Sequence, residues 1–101
     1  MAYGYLGTMR TQPGRRDEVV RALVDGADAL TAAGCRLYVV SVSADDPDCI
    51  WVNEVWESKE KHDASLQLPE VRDAIQATMS KLTGEFTSQE LHVIGGLGVD
   101  S

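Results

Sequence analysis

An acid, an indole and an imidazole lie close together in the segment from Glu54 to His62. Glu54 and Trp56 are two residues apart, so in a β-strand their side chains point to the same face of the sheet. A carboxylate beside an indole on a sheet face is either buried with a partner or lines a cavity. His62 follows on a predicted helix and is the best candidate proton acceptor, because an imidazole exchanges protons near neutral pH. Together these residue types predict proton transfer beside a cavity.

Each of these residues also has a purely structural interpretation. Trp56 could stack on a planar substrate or pack as a core indole against the helices. Glu54 could be a general base, if burial raises its pKa, or a carboxylate bonded to the backbone or to an arginine. His62 could be a surface or capping residue. Asn53 and Tyr38 could anchor a substrate, but strand alternation puts Asn53 opposite Trp56, where it would serve the other sheet face or a dimer contact.

The remaining clusters of potential ligands predict little chemistry. Asp45, Asp46 and Asp48 could hold a cation, but three acids around a proline are more typical of a solvated turn. Cys35 and Cys49 fall near opposite ends of one predicted hairpin, roughly 30 Å apart, which is too far for an intrachain disulfide. No second cysteine or histidine stands at ligand spacing, so a metal site is not expected.

A short series of strands and helices must position these side chains. β-Branched and aromatic residues predict strands, apolar residues at helical spacing predict helices, and glycine and proline mark the ends. In chain order the predictions are a strand at 3–11, a helix at 15–33 closed by Gly34, strands at 35–43 and 49–57, helices at 58–66 and 69–82, and a strand at 85–94. This order predicts an α+β fold, a ferredoxin-like β-α-β-β-α-β sandwich with helices on one face of an antiparallel sheet. We expect one domain over 1–101, with about 95–101 as a flexible tail.

Both faces of the predicted hairpin are largely apolar. If the loop pairs residue 44 with residue 49, Val39 faces Glu54 and Tyr38 lies on the opposite face; a loop of odd length would change this assignment. Helices cover only one face of the sheet, and the other face would expose a tryptophan to water. We therefore predict a homodimer packed through sheet faces, with C2 symmetry.

The composition excludes several function classes. The chain has 101 residues and a net charge of −7, which argues against binding to nucleic acids or to anionic membranes. No apolar run approaches the roughly 20 residues of a membrane span, and the N-terminus lacks the charged start and apolar run of a secretory signal. We therefore expect a cytoplasmic protein that makes no membrane contact.

Several short motifs lie where a known family has them. They are Glu54-x-Trp56-Glu57-Ser58 at the end of the third strand, His62-Asp63-x-Ser65-Leu66 on the next helix, the Pro13-Gly14 turn, Gly34-Cys35, Asp46-Pro47 and the Leu68-Pro69 break. Over about residues 3–96 the chain resembles the antibiotic biosynthesis monooxygenase (ABM) domain family, which includes proteins provisionally assigned as quinol monooxygenases. The resemblance implies a dimeric α+β barrel with one pocket per subunit between helices and sheet. Some members oxidise polycyclic phenols or quinols with O₂ and no prosthetic group, and others degrade haem.

The leading hypothesis is a cofactor-independent monooxygenase acting on a quinol or polycyclic phenol. A phenolate can itself reduce O₂, so the protein need supply only an apolar pocket, a proton acceptor and a few hydrogen bonds. We expect His62 and Glu54 to be catalytic, Trp56, Asn53 and Tyr38 to bind substrate, and no metal or cofactor to take part. The alternatives are a non-catalytic dimeric module that binds a small aromatic ligand and, third, a haem-degrading monooxygenase with His62 as the axial ligand.

Overall fold

The computed structural model describes residues 2–100; Met1 and Ser101, which belong to the predicted domain, lie outside the described residues. In chain order the elements are β1 (Tyr3–Thr11), α1 (Arg16–Gly26), α2 (Asp28–Thr31), β2 (Cys35–Val42), β3 (Cys49–Trp56), α3 (Lys59–Ser65), α4 (Pro69–Met79), β4 (Leu82–His92), β5 (Gly95–Gly96) and β6 (Val99–Asp100). Strands β1 to β4 form one antiparallel sheet in the order β2-β3-β1-β4, with the helices on one face. This is the predicted α+β ferredoxin-like sandwich.

Two local signals fix the connection after β3. Ser58 is extended, and its side chain accepts a hydrogen bond from the Lys61 backbone amide at 3.2 Å, which is the geometry of an N-terminal cap. α3 ends at Ser65 and α4 starts at Pro69, because proline has no amide hydrogen and its fixed φ suits the first turn of a helix. The two predicted helix starts are confirmed, and His62 lies in the first turn of α3, shortly after the end of β3.

The predicted helix over 15–33 is broken in two. α1 ends at Gly26, and the Ala27 amide donates to the Val24 carbonyl at 3.2 Å, three residues back instead of four. Glycine is a weak helix former, which favours a break at this point. Only the short α2 follows before Gly34, whose φ of +106° turns the chain into β2.

The last helix and the last strand both depart from their predicted bounds. α4 ends at Met79 rather than at 82, and β4 starts at Leu82 rather than at 85. Leu82 pairs with Thr11 of β1 across an irregularity in the ladder, so backbone pairing with the sheet draws this segment out of the helix. Gly84, with φ of +92°, lies within the same irregularity.

The segment predicted as a flexible tail contains a small antiparallel ribbon. Gly95 pairs with Asp100 and Gly96 with Val99, apart from the main sheet. The flexibility of this segment stays a prediction. Among residues 2–100, no helix has both the length and the apolar character needed to cross a bilayer.

The register of the hairpin places Tyr38 on the helix-covered face of the sheet. The connecting loop spans 44–48, an odd number of residues, and Tyr38 pairs with Glu54. The predicted pairing of Val39 with Glu54 is therefore wrong, because a shift of one residue exchanges the two faces of β2. Val39 points instead to the helix-free face.

The core lies between the helices and strands β1, β2 and β3. One buried cluster holds Tyr3, Leu30, Cys35 and Trp56, and a second holds Val19, Ile50 and Val52. Tyr38 packs against both clusters. All residues of β4 after Leu82 are exposed, so the helix layer leaves a gap beside this strand.

Cys35 and Cys49 are free thiols near opposite ends of the hairpin, as predicted. Burial, and secondly the nearby Glu54 charge, raise the pKa of the Cys35 thiol to about 11. The thiol therefore stays protonated at neutral pH and packs as a small apolar side chain.

Candidate active site

A cavity of about 430 Å³ occupies the gap between α4 and the helix-covered face of the sheet. Its inner end is lined by Tyr5, Tyr38, Glu54, Trp56 and His62. Ile75 and Met79 of α4 and Phe86 of β4 line the other end and are about half exposed, so the cavity opens to solvent there. Its volume and largely apolar wall are typical of a small-molecule site.

Glu54 lies on β3 with a tyrosine on each side. Tyr5 of β1 and Tyr38 of β2 are its partners across the sheet. Trp56 donates its indole Nε1–H to Glu54 Oε1 at 2.9 Å. Burial raises the pKa of the Glu54 carboxyl, whereas the Trp56 bond and the nearby His62 oppose that rise. The carboxyl therefore exchanges a proton closer to neutral pH than an exposed glutamate does.

The other two predicted substrate contacts lie on opposite faces of the sheet. Tyr38 lines the cavity, and burial, reinforced by the Glu54 charge, raises the pKa of its phenol. Its hydroxyl therefore stays protonated and can donate a hydrogen bond. Asn53 is exposed on the helix-free face and does not line the cavity, because the alternation that turns Glu54 and Trp56 inward turns Asn53 outward.

His62 is buried, and three aromatic rings surround its imidazole. Tyr5 stacks on it with ring centroids 5.3 Å apart, Tyr3 lies tilted at 5.1 Å, and Trp56 meets it edge-on at 5.5 Å. Ser65 donates its hydroxyl to the His62 backbone carbonyl at 2.6 Å, which ties this residue to the end of α3. The three rings confine the imidazole, and each of its two nitrogens lies within 4.0 Å of a carboxylate oxygen.

The two imidazole nitrogens face different surroundings. Nε2 lies on the cavity side, 4.0 Å from Glu54 Oε1, whereas Nδ1 lies 2.9 Å from Oδ1 of Asp63, a half-exposed residue. A gap of 4.0 Å is too long for a hydrogen bond. A hydroxyl placed between the two groups could donate to Nε2 and accept a hydrogen bond from the Glu54 carboxyl in its protonated form. Glu54 and His62 can therefore bind one substrate hydroxyl together.

Sequence reasoning assigned no role to Tyr5 or Asp63, although Asp63 belongs to the motif that begins at His62. Alternation along β1 places Tyr5 on the helix-covered face, but only the packing of α3 on the sheet brings it to His62. Asp63 directly follows His62, and adjacent residues on a helix do not normally face each other. Neither contact has a sequence signal, because both depend on where α3 lies.

Glu54→Gln is expected to flatten the pH dependence of stability. A carboxyl whose pKa is raised by folding destabilises the fold once it is ionised, so its penalty is absent below the ordinary value of 4.5 and grows until the pH passes the folded-state value. Between these two values the free energy of unfolding of the natural protein should fall as pH rises, and the glutamine variant should lack that fall. Urea unfolding from about pH 4 to about pH 8 measures the slope.

The matched control for this prediction is Glu60→Gln, which replaces an exposed glutamate on α3. Its slope should match that of the natural protein. A slope in Glu54→Gln equal to that of the control contradicts a raised pKa for Glu54.

The family model for antibiotic biosynthesis monooxygenases matches residues 3–77 of the chain. The matched range contains β1 to β3 and the whole segment from Glu54 to His62, so it includes the inner end of the cavity. No curated protein matches the chain.

Solved structures share the fold. A protein from Chloroflexus aurantiacus, provisionally named an antibiotic biosynthesis monooxygenase, is 43% identical over 95% of this chain and 96% of its own, with a TM-score of 0.85. Two proteins given the same provisional name are similar in fold. The one from Deinococcus radiodurans is 23% identical over 100% of both chains, with a TM-score of 0.78. The one from Caulobacter crescentus is 20% identical over 93% of this chain and 91% of its own, with a TM-score of 0.84.

The cavity lies where the resemblance implied a pocket, between helices and sheet. The family model spans most of the chain, and the 43% identical structure covers nearly all of it. This chain therefore belongs to the antibiotic biosynthesis monooxygenase family.

Proposed function

We propose that this protein is a cofactor-independent monooxygenase that oxidises a quinol or polycyclic phenol with O₂. The observation that carries the proposal is the Glu54–His62 pair, 4.0 Å apart at the inner end of an apolar cavity. Such an oxidation begins with deprotonation of a substrate hydroxyl, and a proton acceptor at the end of an apolar pocket is suited to that step. Membership of a family named for monooxygenases agrees with this class of reaction.

In the proposed reaction, His62 takes the proton of the substrate hydroxyl, and the protonated carboxyl of Glu54 donates a hydrogen bond to the oxygen of that hydroxyl. The O–H bond breaks, an N–H bond forms at Nε2, and the phenolate passes one electron to O₂. The phenoxyl radical and superoxide then form a carbon–oxygen bond, and the imidazolium returns its proton to the peroxide. Loss of water, which takes the hydrogen of the same carbon, leaves a carbonyl. One oxygen atom enters the product, the other leaves as water, and all four electrons come from the substrate.

The cavity favours an uncharged, planar substrate. Its walls are mostly aliphatic and aromatic, and within residues 2–100 no lysine or arginine lines it. An anionic substrate would lose its hydration there without gaining a counter-ion. We assign Trp56 two roles, as part of the wall and as the donor that orients Glu54, and we assign Tyr38 a hydrogen bond to a second substrate oxygen. Asn53 receives no substrate contact within its own subunit.

Oxygen uptake with a panel of naphthoquinols, anthrones and simple hydroquinones tests the proposal. Uncatalysed oxidation of a quinol yields H₂O₂, whereas the proposed reaction yields water, so catalase added afterwards should return no O₂. With ¹⁸O₂, one labelled atom should enter the product. Protein-dependent uptake without H₂O₂ supports the proposal, and release of H₂O₂ at the rate of uptake contradicts it.

Binding experiments on the same purified protein distinguish two alternative functions. Binding of these aromatics without turnover supports a non-catalytic dimeric module, for which an open apolar cavity is also suited. A Soret shift on addition of haemin supports haem degradation. We expect no shift, because the lining residues offer the propionates no cation and an axial bond would have to displace Glu54 from its place beside Nε2 of His62.

We further propose that two copies of the chain pack through their helix-free sheet faces, as in the dimeric α+β barrel of the family. Val39, Trp51 and Leu91 lie on this face and are 44%, 42% and 42% exposed. Large apolar side chains exposed together on one sheet face usually mark a partner surface. Closure about a twofold axis would cover each of these side chains with the same face of a second copy.

Trp51→Glu is expected to raise the dissociation constant of this dimer by at least about a hundredfold. The substitution removes an aromatic contact and places two like charges in one interface, which costs several kcal/mol. Sedimentation across a range of protein concentrations measures the constant. Val24→Glu is the control, since Val24 is 54% exposed on α1 and lies outside both the face and the cavity. A natural protein that stays monomeric, or equal constants for all three, contradicts the proposed interface.

We also propose a cytoplasmic location. Both cysteines are free thiols, and unpaired thiols are typical of reducing compartments. Separation of cells that produce the protein into cytoplasmic and extracytoplasmic fractions tests this location, and recovery of the protein outside the cytoplasmic fraction contradicts it.

A further inference from the structure

We propose that Asp63 is a positioning residue that fixes the tautomer of His62, so that Nε2 presents its lone pair to the cavity. The catalytic consequence rests on the proposed function, whereas the tautomer itself rests only on the geometry of the resting protein.

The hydrogen bond between His62 and Asp63 can run in only one direction, from the imidazole to the carboxylate. An ionised carboxylate can accept but not donate, so the proton between Asp63 Oδ1 and His62 Nδ1, 2.9 Å apart, belongs to the imidazole. The bond to His62 is also the main reason that the pKa of Asp63 is lowered, which keeps it ionised at neutral pH. In the neutral imidazole, Nδ1 therefore carries the hydrogen and Nε2 carries the lone pair.

The other groups around the ring do not offer a better arrangement. Glu54 could accept a hydrogen from Nε2, but its Oε1 is 4.0 Å away and already accepts the Trp56 indole N–H. Rotation of the ring by half a turn would place carbon atoms against both carboxylates, and the rings of Tyr3 and Tyr5 confine it. The shorter bond, to Asp63, therefore decides the tautomer.

The aspartate is itself held from a second side. Lys59, one turn back on α3, lies 3.6 Å from Asp63 Oδ2 and donates a 2.8 Å hydrogen bond to Glu90 of β4. One carboxylate oxygen thus faces His62 and the other faces Lys59. The groups that influence the charge of His62 lie on four elements. They are Lys59 and Asp63 of α3, Glu90 of β4, Glu54 of β3, and Tyr3 and Tyr5 of β1.

This arrangement matters because a base needs a free lone pair. If Nε2 carried the hydrogen, it could not accept a proton from a substrate hydroxyl, and it would instead donate toward Glu54. Removal of Asp63 should therefore leave the fold and the cavity intact but populate the wrong tautomer of His62. Partners that orient a metal-binding histidine in this way typically contribute about 10- to 100-fold, and we expect an effect of the same order here.

Long-range ¹H–¹⁵N correlation spectra of the ¹⁵N-labelled protein, recorded on the neutral imidazole, test the inference without substrate. We expect the natural protein to show His62 with its hydrogen on Nδ1, and Asp63→Ala to show a large shift of population to the Nε2–H form. Lys59→Gln keeps the aspartate and should retain the Nδ1–H form. His92, the other histidine of the chain, is an internal reference whose signals should not change.

Measurements of turnover, taken together with the tautomer, test this inference independently of the proposed function. We expect kcat for quinol oxidation to fall at least about tenfold in Asp63→Ala and to be largely restored in Asp63→Glu. An Nε2–H tautomer in the natural protein, or an unchanged tautomer in Asp63→Ala, overturns the role of Asp63 whatever the activity. A shifted tautomer together with no quinol oxidation by the natural protein leaves the positioning role intact and removes the proposed function.

Discussion

Replacing His62 with alanine is expected to lower protein-dependent O₂ uptake with a quinol by at least about a hundredfold. Positioned acid–base groups contribute roughly 10²- to 10⁴-fold to enzymatic rates. His62 is the nitrogen base of the cavity, 4.0 Å from Glu54 and held by three aromatic rings. The measurement is the initial rate of O₂ uptake at substrate saturation, made on a variant whose thermal unfolding is still cooperative.

Two further variants separate loss of the base from loss of structure. His62→Gln keeps a polar side chain among the same rings but offers no imidazole, so it should be as inactive as alanine. His92→Ala removes the exposed histidine of β4, which does not line the cavity, and should be fully active. Unchanged rates in both His62→Ala and Trp56→Ala would remove these two residues from the proposed reaction.

Trp56→Ala is expected to lower the free energy of unfolding by about 3–5 kcal/mol, the usual cost of truncating a buried aromatic side chain. Trp56 is 1% exposed and packs with Tyr3, Leu30 and Cys35. Urea unfolding measures the change. Trp51→Ala is the matched comparison, because Trp51 is 42% exposed. Its truncation should lower the free energy of unfolding much less, provided that the protein concentration is low enough for dimerisation to contribute little.

Trp56→Phe separates the hydrogen bond of the indole from its packing. Phenylalanine keeps an aromatic ring in the core but leaves Glu54 Oε1 without its donor at 2.9 Å, which costs about 1–3 kcal/mol for a buried acceptor. Because that bond lowers the pKa of Glu54, its loss should raise the pKa further. The fall in stability with rising pH should then extend to higher pH than in the natural protein. A pH dependence equal to that of the natural protein contradicts the role of Trp56 as the donor that orients Glu54.

Local chemistry made much of the fold predictable. Ser58 and Pro69 start helices because of what their own side chains do to the backbone nearby. Alternation within β3 was enough to put Glu54 and Trp56 on one face. Each of these features is set by residues a few positions apart, so tertiary packing has little effect on them.

Pairing between strands was not predictable in the same way. One residue more in the loop at 44–48 moves Tyr38 from the helix-free face to the cavity wall, and nothing in β2 itself distinguishes the two faces, since both are apolar. The start of β4 at Leu82 likewise depends on pairing with β1, which overrides the local helical pattern.

By itself the sequence determined the order of the elements, the shared face of Glu54 and Trp56, and the helix that carries His62. Only the tertiary structure decided that these residues meet at the end of a cavity, that Tyr3 and Tyr5 enclose the imidazole, and that Nε2 lies 4.0 Å from Glu54. The physical reason is the distance along the chain over which each kind of interaction acts. Capping and alternation act over a few residues, whereas the distance between a helix and a sheet is set by the packing of the whole core between them.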